Sequence, residues 1–205
     1  EISECLVGSE MCIRDRLCED VALVSCPVVL IDRLTQCGWC DAVGFDNYLG
    51  GRLAAQYLLE GGHTRIGIVT GDIAESSAAE RRRGFVDAIE QSGKHFDSSL
   101  CVEGDYRFDS GYRAANQIID GGATAVFCCN DVMALGFRQR MAERGLHVTE
   151  DMQVIGYDNI LKRFGLGWRM TTVEQSVTDL AAACWGMLRK RIDVAVRAKS
   201  GTESG

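Results

Sequence analysis

The most constraining feature of this chain is a regular alternation of short β-branched runs with longer amphipathic segments. An apolar run at 66–69 precedes a helical pattern near 78–91, and a run at 125–128 precedes another near 132–144. Strands are short and carry β-branched residues, whereas helices repeat apolar residues over several turns, so each pair is a strand followed by a helix. Repetition of this unit predicts right-handed crossovers and a mostly parallel sheet. The predicted fold class is therefore α/β.

The same alternation extends towards both ends of the chain. Three further units are predicted: a strand at 28–31 with a helix at 50–59, a strand at 100–102 with a helix at 110–119, and a strand at 153–156 that leads through a polar loop to a long helix at 177–196.

Composition and charge exclude several classes of protein. The 205 residues are 46% hydrophobic and 25% charged, as in an ordinary globular chain. No apolar run approaches the roughly 18 residues that cross a bilayer, so no membrane partner is expected. The net charge of −7 repels phosphate backbones, which nucleic-acid-binding surfaces must attract. Any contact with DNA must then be made by residues outside this chain.

The ten cysteines are spaced irregularly. Cys37 and Cys40 have the spacing of a zinc or dithiol pair, but no second pair follows at a suitable interval. Cys128 and Cys129 lie in the apolar run of a predicted buried strand. We therefore expect no metal and no cofactor, and interpret the cysteines as unpaired thiols of a reducing cytoplasm.

Both ends of the sequence lack a pattern of secondary structure. Residues 5–16 resemble a translated sequencing adapter, and we expect residues 1–26 to be a non-native or disordered leader. Residues 198–205 are small and polar and are expected to form a disordered tail.

A series of short motifs follows the helices and strands in a fixed order. These motifs are Asp46-Asn47, Gly62-His63-Thr64-Arg65, Arg81-x-x-Gly84-Phe85, Gly104-Asp105-Tyr106, Asn130-Asp131-x-Met133, Gly156-Tyr157-Asp158-Asn159 and Thr171-Thr172-Val173-x-Gln175. Each is weak alone. Together they cover residues 27–191, and their order and spacing resemble the lactose/galactose-repressor family of bacterial transcription regulators, with the ribose and purine repressors nearest.

The resemblance implies two doubly wound, parallel-sheet subdomains of the periplasmic-binding-protein type, with a small effector bound between them. Residues 27–63 and 176–197 would be a remnant of the N-terminal subdomain, and residues 64–175 the C-terminal subdomain. Family members carry a DNA-binding domain and further βα units before this region, and a closing strand after it. The first subdomain is therefore expected to be incomplete. The resemblance also implies a homodimer that reaches operator DNA through the missing N-terminal domain.

Polar residues that directly follow the predicted strands are the candidates for ligand binding. In open α/β sheets, ligands lie at the carboxyl ends of the strands. A sugar needs carboxylate and amide acceptors, a guanidinium donor and an apolar surface for stacking. The predicted ligand-binding residues, which match effector-binding positions of the family, are Asp46, Ser77, Arg81, Tyr106, Asn130, Asp131 and Asp158.

Each candidate also has a purely structural interpretation. The pairs that begin at Asp46 and Asp158 are turn formers, and Asn130 with Asp131 has the pattern of a helix N-cap. Arg81 begins a run of three arginines that could form a solvated face, and Tyr106 could belong to the core. His63 is assigned no chemistry, because it falls in the terminal turn of a helix.

Two functional classes compete with the regulator. An enzyme is not expected, because the chain has no nucleophile elbow, no P-loop and no metalloprotease helix motif. A periplasmic sugar-binding protein of a transporter would share the fold, but the free cysteines and the repressor-like motifs favour a cytoplasmic regulator. A sugar-like effector such as ribose is expected. A purine is less favoured, because Glu75 stands where the purine-responsive branch has a basic residue.

Overall fold

The computed structural model describes residues 23–24, 26–31, 41–160 and 170–202. The chain divides into two compact units, Asp46–Gln175 on the one hand and Glu1–Phe45 with Ser176–Gly205 on the other. The Cys37 and Cys40 pair, most of the predicted leader and the last residues of the predicted tail lie outside the described residues.

The larger unit contains a sheet of five parallel strands. In chain order these are β3 (Ile66–Thr70), β4 (Cys101–Glu103), β5 (Ala125–Cys128), β6 (Gln153–Asp158) and β7 (Thr171–Glu174). The strands are arranged β4-β3-β5-β6-β7. From β3 the chain moves outward to β4 and then crosses back to β5, which is the reversal of a doubly wound sheet. The predicted α/β class is confirmed.

Four helices connect or precede these strands. They are α1 (Asn47–Glu60), α2 (Ser76–Gln91), α3 (Phe108–Asp120) and α4 (Asp131–Glu143). Helix α1 packs against α2, and α3 packs against α4. The core between helices and sheet is apolar: Phe85 of α2 stacks on Phe127 of β5, with ring centroids 5.4 Å apart.

In the part of the smaller unit that the structure describes, there are two parallel strands and one helix. Strand β1 (Val29–Ile31) pairs with β2 (Asp41–Val43), and the long helix α5 (Val177–Thr202) packs against both. Arg191 of α5 donates a 2.6 Å hydrogen bond to the Asp41 carboxylate, which fixes the helix to β2.

Two boundaries differ from the sequence-based expectation. The larger unit begins at Asp46 instead of residue 64, because α1 packs against α2 and therefore joins the second unit. Helix α5 continues to Thr202, so the first residues of the predicted disordered tail are helical. Ala198 and Lys199 have high helix propensity, and no proline stops the helix before them.

Candidate functional site

The carboxyl ends of β3, β5 and β6 meet at one edge of the larger unit, and Arg81 of α2 is buried there. Only 5% of Arg81 is exposed. Its Nε donates a 2.8 Å hydrogen bond to the Asn47 amide oxygen, and its Nη1 donates a 2.6 Å bond to the Cys129 carbonyl. The structure thus excludes the solvated-face interpretation of Arg81. The guanidinium points towards the residues that follow β5.

An aromatic ring supports the guanidinium from β6. The centre of the guanidinium lies 3.8 Å from the centroid of the Tyr157 ring, a favourable cation–π geometry. Burial raises the pKa of Tyr157, although the nearby Arg81 lowers it. The Tyr157 hydroxyl also lies 3.5 Å from the Asn47 oxygen that accepts from Arg81. Arg81 is therefore held by three groups from separate segments.

Tyr106 lies against the end of β3. A β-carbon at Gly71 would overlap the Tyr106 ring, so the ring can pack here only because residue 71 is a glycine. The backbone of Tyr106 is left-handed, with φ 63°, which is uncommon for a residue with a bulky side chain. Burial is the main influence that raises its pKa to about 12, against the lowering effects of Ser77 and Arg81. The hydroxyl therefore remains a hydrogen-bond donor at neutral pH.

The Tyr106 hydroxyl lacks a properly oriented partner among the described residues. The Ser77 side chain lies beside it, but the pair does not reach full hydrogen-bond geometry. A buried polar group without a partner is unfavourable, and ligands or ordered water commonly satisfy such groups.

Asn130 is the N-cap of α4. Its amide oxygen accepts a 2.8 Å bond from the Met133 backbone N–H, and its amide nitrogen donates a 2.8 Å bond to the Tyr106 carbonyl. The N-cap pattern in the sequence is thus realised by Asn130 and not by Asp131. Asn130 also fixes the segment that carries Tyr106.

Asp131 is fully buried and is bound to other parts of the protein. One carboxylate oxygen accepts a 2.6 Å bond from the Thr172 hydroxyl, and the other accepts a 2.7 Å bond from the Ile160 N–H. Through these two hydrogen bonds, the Asp131 carboxylate connects α4 to β7 and to the segment after β6.

Asp158 ends β6, at the position expected for a ligand-binding residue. Its backbone has φ 98°, and Asn159 follows with φ 56°. Left-handed conformations of non-glycine residues concentrate at functional sites, because the surroundings must hold them.

Asp46, in contrast, is exposed and caps α1, since its carboxylate accepts a 2.8 Å bond from the Leu49 N–H.

Electrostatic influences connect several candidates around Cys129. Burial raises the pKa of the Cys129 thiol to about 12, Arg81 lowers it, and Asp158 raises it further. Arg81 also acts on Tyr106, and Asp158 acts on Tyr157. We call the set of Ser77, Arg81, Tyr106, Asn130 and Asp158 the carboxyl-edge cluster. Among the described residues, Asp46 is connected to this cluster only through its neighbour Asn47, which accepts a hydrogen bond from Arg81.

Three residues of this region were not predicted from the sequence. Asn47 and Tyr157 hold Arg81, and Thr172 binds Asp131. All three lie within the family-like motifs, so the motifs were the available signal. His63 lies in the turn that ends α1, as predicted, and its backbone N–H donates to the Leu58 carbonyl. Its ring nitrogens, which lie 2.9 Å from Thr124 and from Gln153, also bridge the amino ends of β5 and β6.

A groove on the described surface lies apart from the predicted ligand-binding residues. The groove, about 440 Å³, contains none of the predicted ligand-binding residues and is lined by Leu53, Tyr57, Glu60, Thr171, Val173 and Glu174 among others. Within the described ranges, no group of three or more potential metal ligands occurs. No helix in the same ranges is long and apolar enough to cross a membrane.

The doubly wound sheet and its polar carboxyl edge define a small-ligand-binding α/β domain. The chain belongs to the family with the periplasmic binding protein-like domain, which it matches over residues 55–203. The resemblance inferred from the motifs is confirmed by relatives named as HTH-type transcriptional repressors and by solved structures of LacI-family regulators.

Two relatives illustrate the similarity in sequence. The chain is 37% identical over 171 residues to the HTH-type transcriptional repressor PurR of Pasteurella multocida, covering 82% of this chain and 51% of the relative. It is 36% identical over 169 residues to the repressor PurR of Escherichia coli O1:K1, covering 81% and 50%. The chain thus spans about half the length of the curated relatives it matches.

Two solved structures illustrate the similarity in fold. A LacI-family transcriptional regulator from Enterococcus faecium with bound ribose has a TM-score of 0.76 and 29% identity, covering 90% of this chain and 68% of that one. The Escherichia coli transcriptional repressor ascG has a TM-score of 0.76 and 25% identity, covering 88% and 66%.

Proposed function

We propose that this chain is the effector-binding part of a DNA-binding transcription regulator, and that the effector is a sugar-like molecule bound at the carboxyl-edge cluster. The observation that carries the proposal is the buried guanidinium of Arg81. Among the described residues no carboxylate forms an ion pair with it. A guanidinium carries more N–H groups than its bonds to Asn47 and Cys129 use, so donors remain for a ligand.

The cluster supplies the groups that vicinal hydroxyls require. Arg81 donates, Asp158 accepts, and Asn130 and Ser77 add polar contacts. The Tyr106 ring offers an apolar surface, and its hydroxyl, without a partner among the described residues, would gain one. Asp46 caps α1 outside the cluster, and both oxygens of the buried Asp131 carboxylate accept bonds from the protein, so we base the proposal on the other five residues. Asn130 also caps a helix, but its amide nitrogen has a second N–H beside the one donated to Tyr106.

Glu75 favours a sugar over a purine. It directly precedes α2 and influences the Tyr106 hydroxyl electrostatically. A carboxylate at this position accepts hydrogen bonds from hydroxyl groups and repels anionic substituents. The bound ribose of the Enterococcus faecium regulator is consistent with this chemistry.

The regulator is favoured over a transporter binding protein. The matched relatives carry the names of transcriptional repressors. We propose that the whole protein acts in the cytoplasm, as a homodimer, and contacts operator DNA through residues outside this chain. Effector and operator would be coupled only if they prefer different conformations of the protein. The net charge of −7 agrees with DNA binding elsewhere.

A thermal-shift screen tests the proposal. The chain is heated with D-ribose, D-glucose, cellobiose, adenine and guanine, each at a saturating concentration. A ligand that binds the folded state raises the melting temperature, because it contributes stability in proportion to the logarithm of its concentration. The proposal expects the largest rise with a sugar. A rise with a purine alone would refute the sugar assignment, and no rise with any compound would refute effector binding of this kind.

A further inference from the structure

One buried carboxylate joins three elements of the larger unit. Asp131 is the first residue of α4, and its side chain is fully buried. It accepts a 2.6 Å bond from the Thr172 hydroxyl of β7 and a 2.7 Å bond from the Ile160 N–H, two residues after β6. The Asp131 side chain thus links the start of α4 to the segment after β6 and to the edge strand β7.

The exit of β6 requires such a restraint. Asp158 and Asn159 both have positive φ, at 98° and 56°. This conformation is unfavourable for residues with a β-carbon and persists only where neighbouring structure holds it. The near end of the turn is held by the pairing of Asp158 with Glu174 in the sheet. The far end is held by the bond from Ile160 to Asp131.

The sheet leaves room for the carboxylate. A β-carbon at Gly156 would overlap the Asp131 carboxylate, and Gly156 is the residue that pairs with Thr172 in the sheet. A glycine in a strand commonly marks the close approach of another group. Here that group is the Asp131 side chain. Gly156, Thr172 and Asp131 therefore form one packed arrangement beneath the turn.

We propose that Asp131 is a positioning residue that holds the turn of Asp158 and Asn159, so that the Asp158 carboxylate is presented to the effector. Thr172 orients the Asp131 carboxylate through its hydroxyl. Asp131 acts through Asp158 and makes no contact with the ligand. The inference rests on the proposed function, because presentation of Asp158 matters only if Asp158 binds the effector.

The cap of α4 is independent of Asp131. Asn130 supplies that cap by accepting from the Met133 N–H, and it remains when Asp131 is replaced. Alanine is a good helix former, so Asp131→Ala removes both acceptors and leaves the Asn130 cap in place. A milder variant, Thr172→Val, removes only the hydroxyl and keeps the shape of the side chain.

Two control variants are available on the same strand. Thr172→Ser keeps the hydroxyl donor. Thr171→Val makes the same chemical change as Thr172→Val at the neighbouring position, which is exposed. If orientation of the carboxylate matters, Thr172→Ser and Thr171→Val should behave as the wild type.

Hydrogen exchange of the amides at 158–160 tests the restraint without a ligand. We expect exchange about tenfold faster in Asp131→Ala, because the acceptor of the Ile160 N–H is lost, and a smaller increase in Thr172→Val, because the carboxylate that accepts this bond is no longer oriented by the hydroxyl. Both controls should exchange at the wild-type rate. Unchanged exchange in Asp131→Ala and Thr172→Val would overturn the proposal.

Calorimetric titration with D-ribose, or with the sugar that gives the largest thermal shift, tests the link to binding. We expect Asp131→Ala to weaken binding about tenfold in the wild-type background but less than about twofold in the Asp158→Asn background, since residues that act as one unit are not additive. Equal losses in both backgrounds would overturn the proposal and indicate direct contact. A lower melting temperature with unchanged affinity would overturn it as well. Failure of the wild type to bind any sugar would instead refute the proposed function, while the exchange result stands by itself.

Discussion

At the scale of single residues, the site depends on a cation that the protein has buried without a carboxylate partner in the described ranges. This cation is the guanidinium of Arg81. Two oxygens and one aromatic ring hold it: the amide of Asn47, the carbonyl of Cys129 and the face of Tyr157. The planar guanidinium group suits this arrangement, because its N–H groups reach two acceptors in different directions.

Arg81→Lys should therefore destabilise the protein even though the charge is kept. A single ammonium cannot replace both bonds, and a buried acceptor left without a donor costs about 1–3 kcal/mol. Urea unfolding measures the effect, with Arg82→Lys as the matched control, because Arg82 is exposed on the same helix. Arg81→Lys should lower the free energy of unfolding by about 1–3 kcal/mol and Arg82→Lys by less than about 0.5 kcal/mol. Equal stability of the two variants would contradict the structural role of Arg81.

At the scale of secondary-structure elements, pairs of glycines determine how closely the helices pack. A β-carbon at Gly51 of α1 would overlap the Arg81 carbonyl of α2, and one at Gly84 would overlap the Tyr48 carbonyl. Gly111 of α3 and Gly136 of α4 have the same reciprocal relation to the opposite backbone. Since α1 lies close to α2 through these glycines, Asn47 comes within hydrogen-bonding distance of Arg81.

Gly84→Ala tests this packing, and Gly186→Ala provides the control. Alanine in an exposed helix position stabilises by roughly 0.5–1 kcal/mol relative to glycine. Gly186 lies in α5 with open space around it, so Gly186→Ala should stabilise by about that amount. Gly84→Ala should destabilise by several kcal/mol, because the β-carbon meets backbone that cannot move aside. Thermal unfolding followed by circular dichroism separates the two signs, and a stabilising Gly84→Ala would contradict the close approach.

The sequence predicted those elements that carry a strong periodic signal. Strands β3, β5 and β6 are fully or almost fully buried, and their continuous apolar runs are easily recognised. Strand β7 was not assigned from the sequence, because Thr171 and Glu174 are exposed and the segment reads as a polar loop. Edge strands lack the apolar run of a central strand, so pairing in the folded sheet decides their structure.

The candidate residues were predictable from two local rules, namely position directly after a strand and spacing within a motif. Asp158 and Asn130 were placed by the first rule, and Arg81 by its spacing to Gly84. The partners of these residues are distant in the sequence: Asn47 is 34 residues from Arg81, and Thr172 is 41 residues from Asp131. Local periodicity holds no information about such pairs, because tertiary packing brings them together.

At the scale of the whole molecule, the net charge disfavours the binding of DNA by this chain. The formal charge of −7 over 205 residues produces a field that repels a polyanion. Proteins that bind duplex DNA gain most of their affinity from contacts of basic residues with phosphate. We therefore expect this chain alone to show no specific binding to duplex DNA. A mobility-shift assay at low salt checks this expectation, and a sequence-dependent, salt-sensitive complex would contradict it.

The central claim is that the carboxyl-edge cluster binds the effector, and calorimetric titration of Asp158→Asn tests it most directly. Asparagine tolerates the left-handed backbone at this position, so the variant removes the charge and keeps the turn. Loss of a charged acceptor that a ligand has desolvated costs about 1.5–3 kcal/mol, or one to two decades in affinity. Asp193→Asn, an exposed carboxylate of α5, is the control. The account predicts affinity for the sugar at least about tenfold weaker in Asp158→Asn, with little change in melting temperature and no effect of the control. Unchanged affinity with a lowered melting temperature would assign Asp158 to the fold alone and contradict the account.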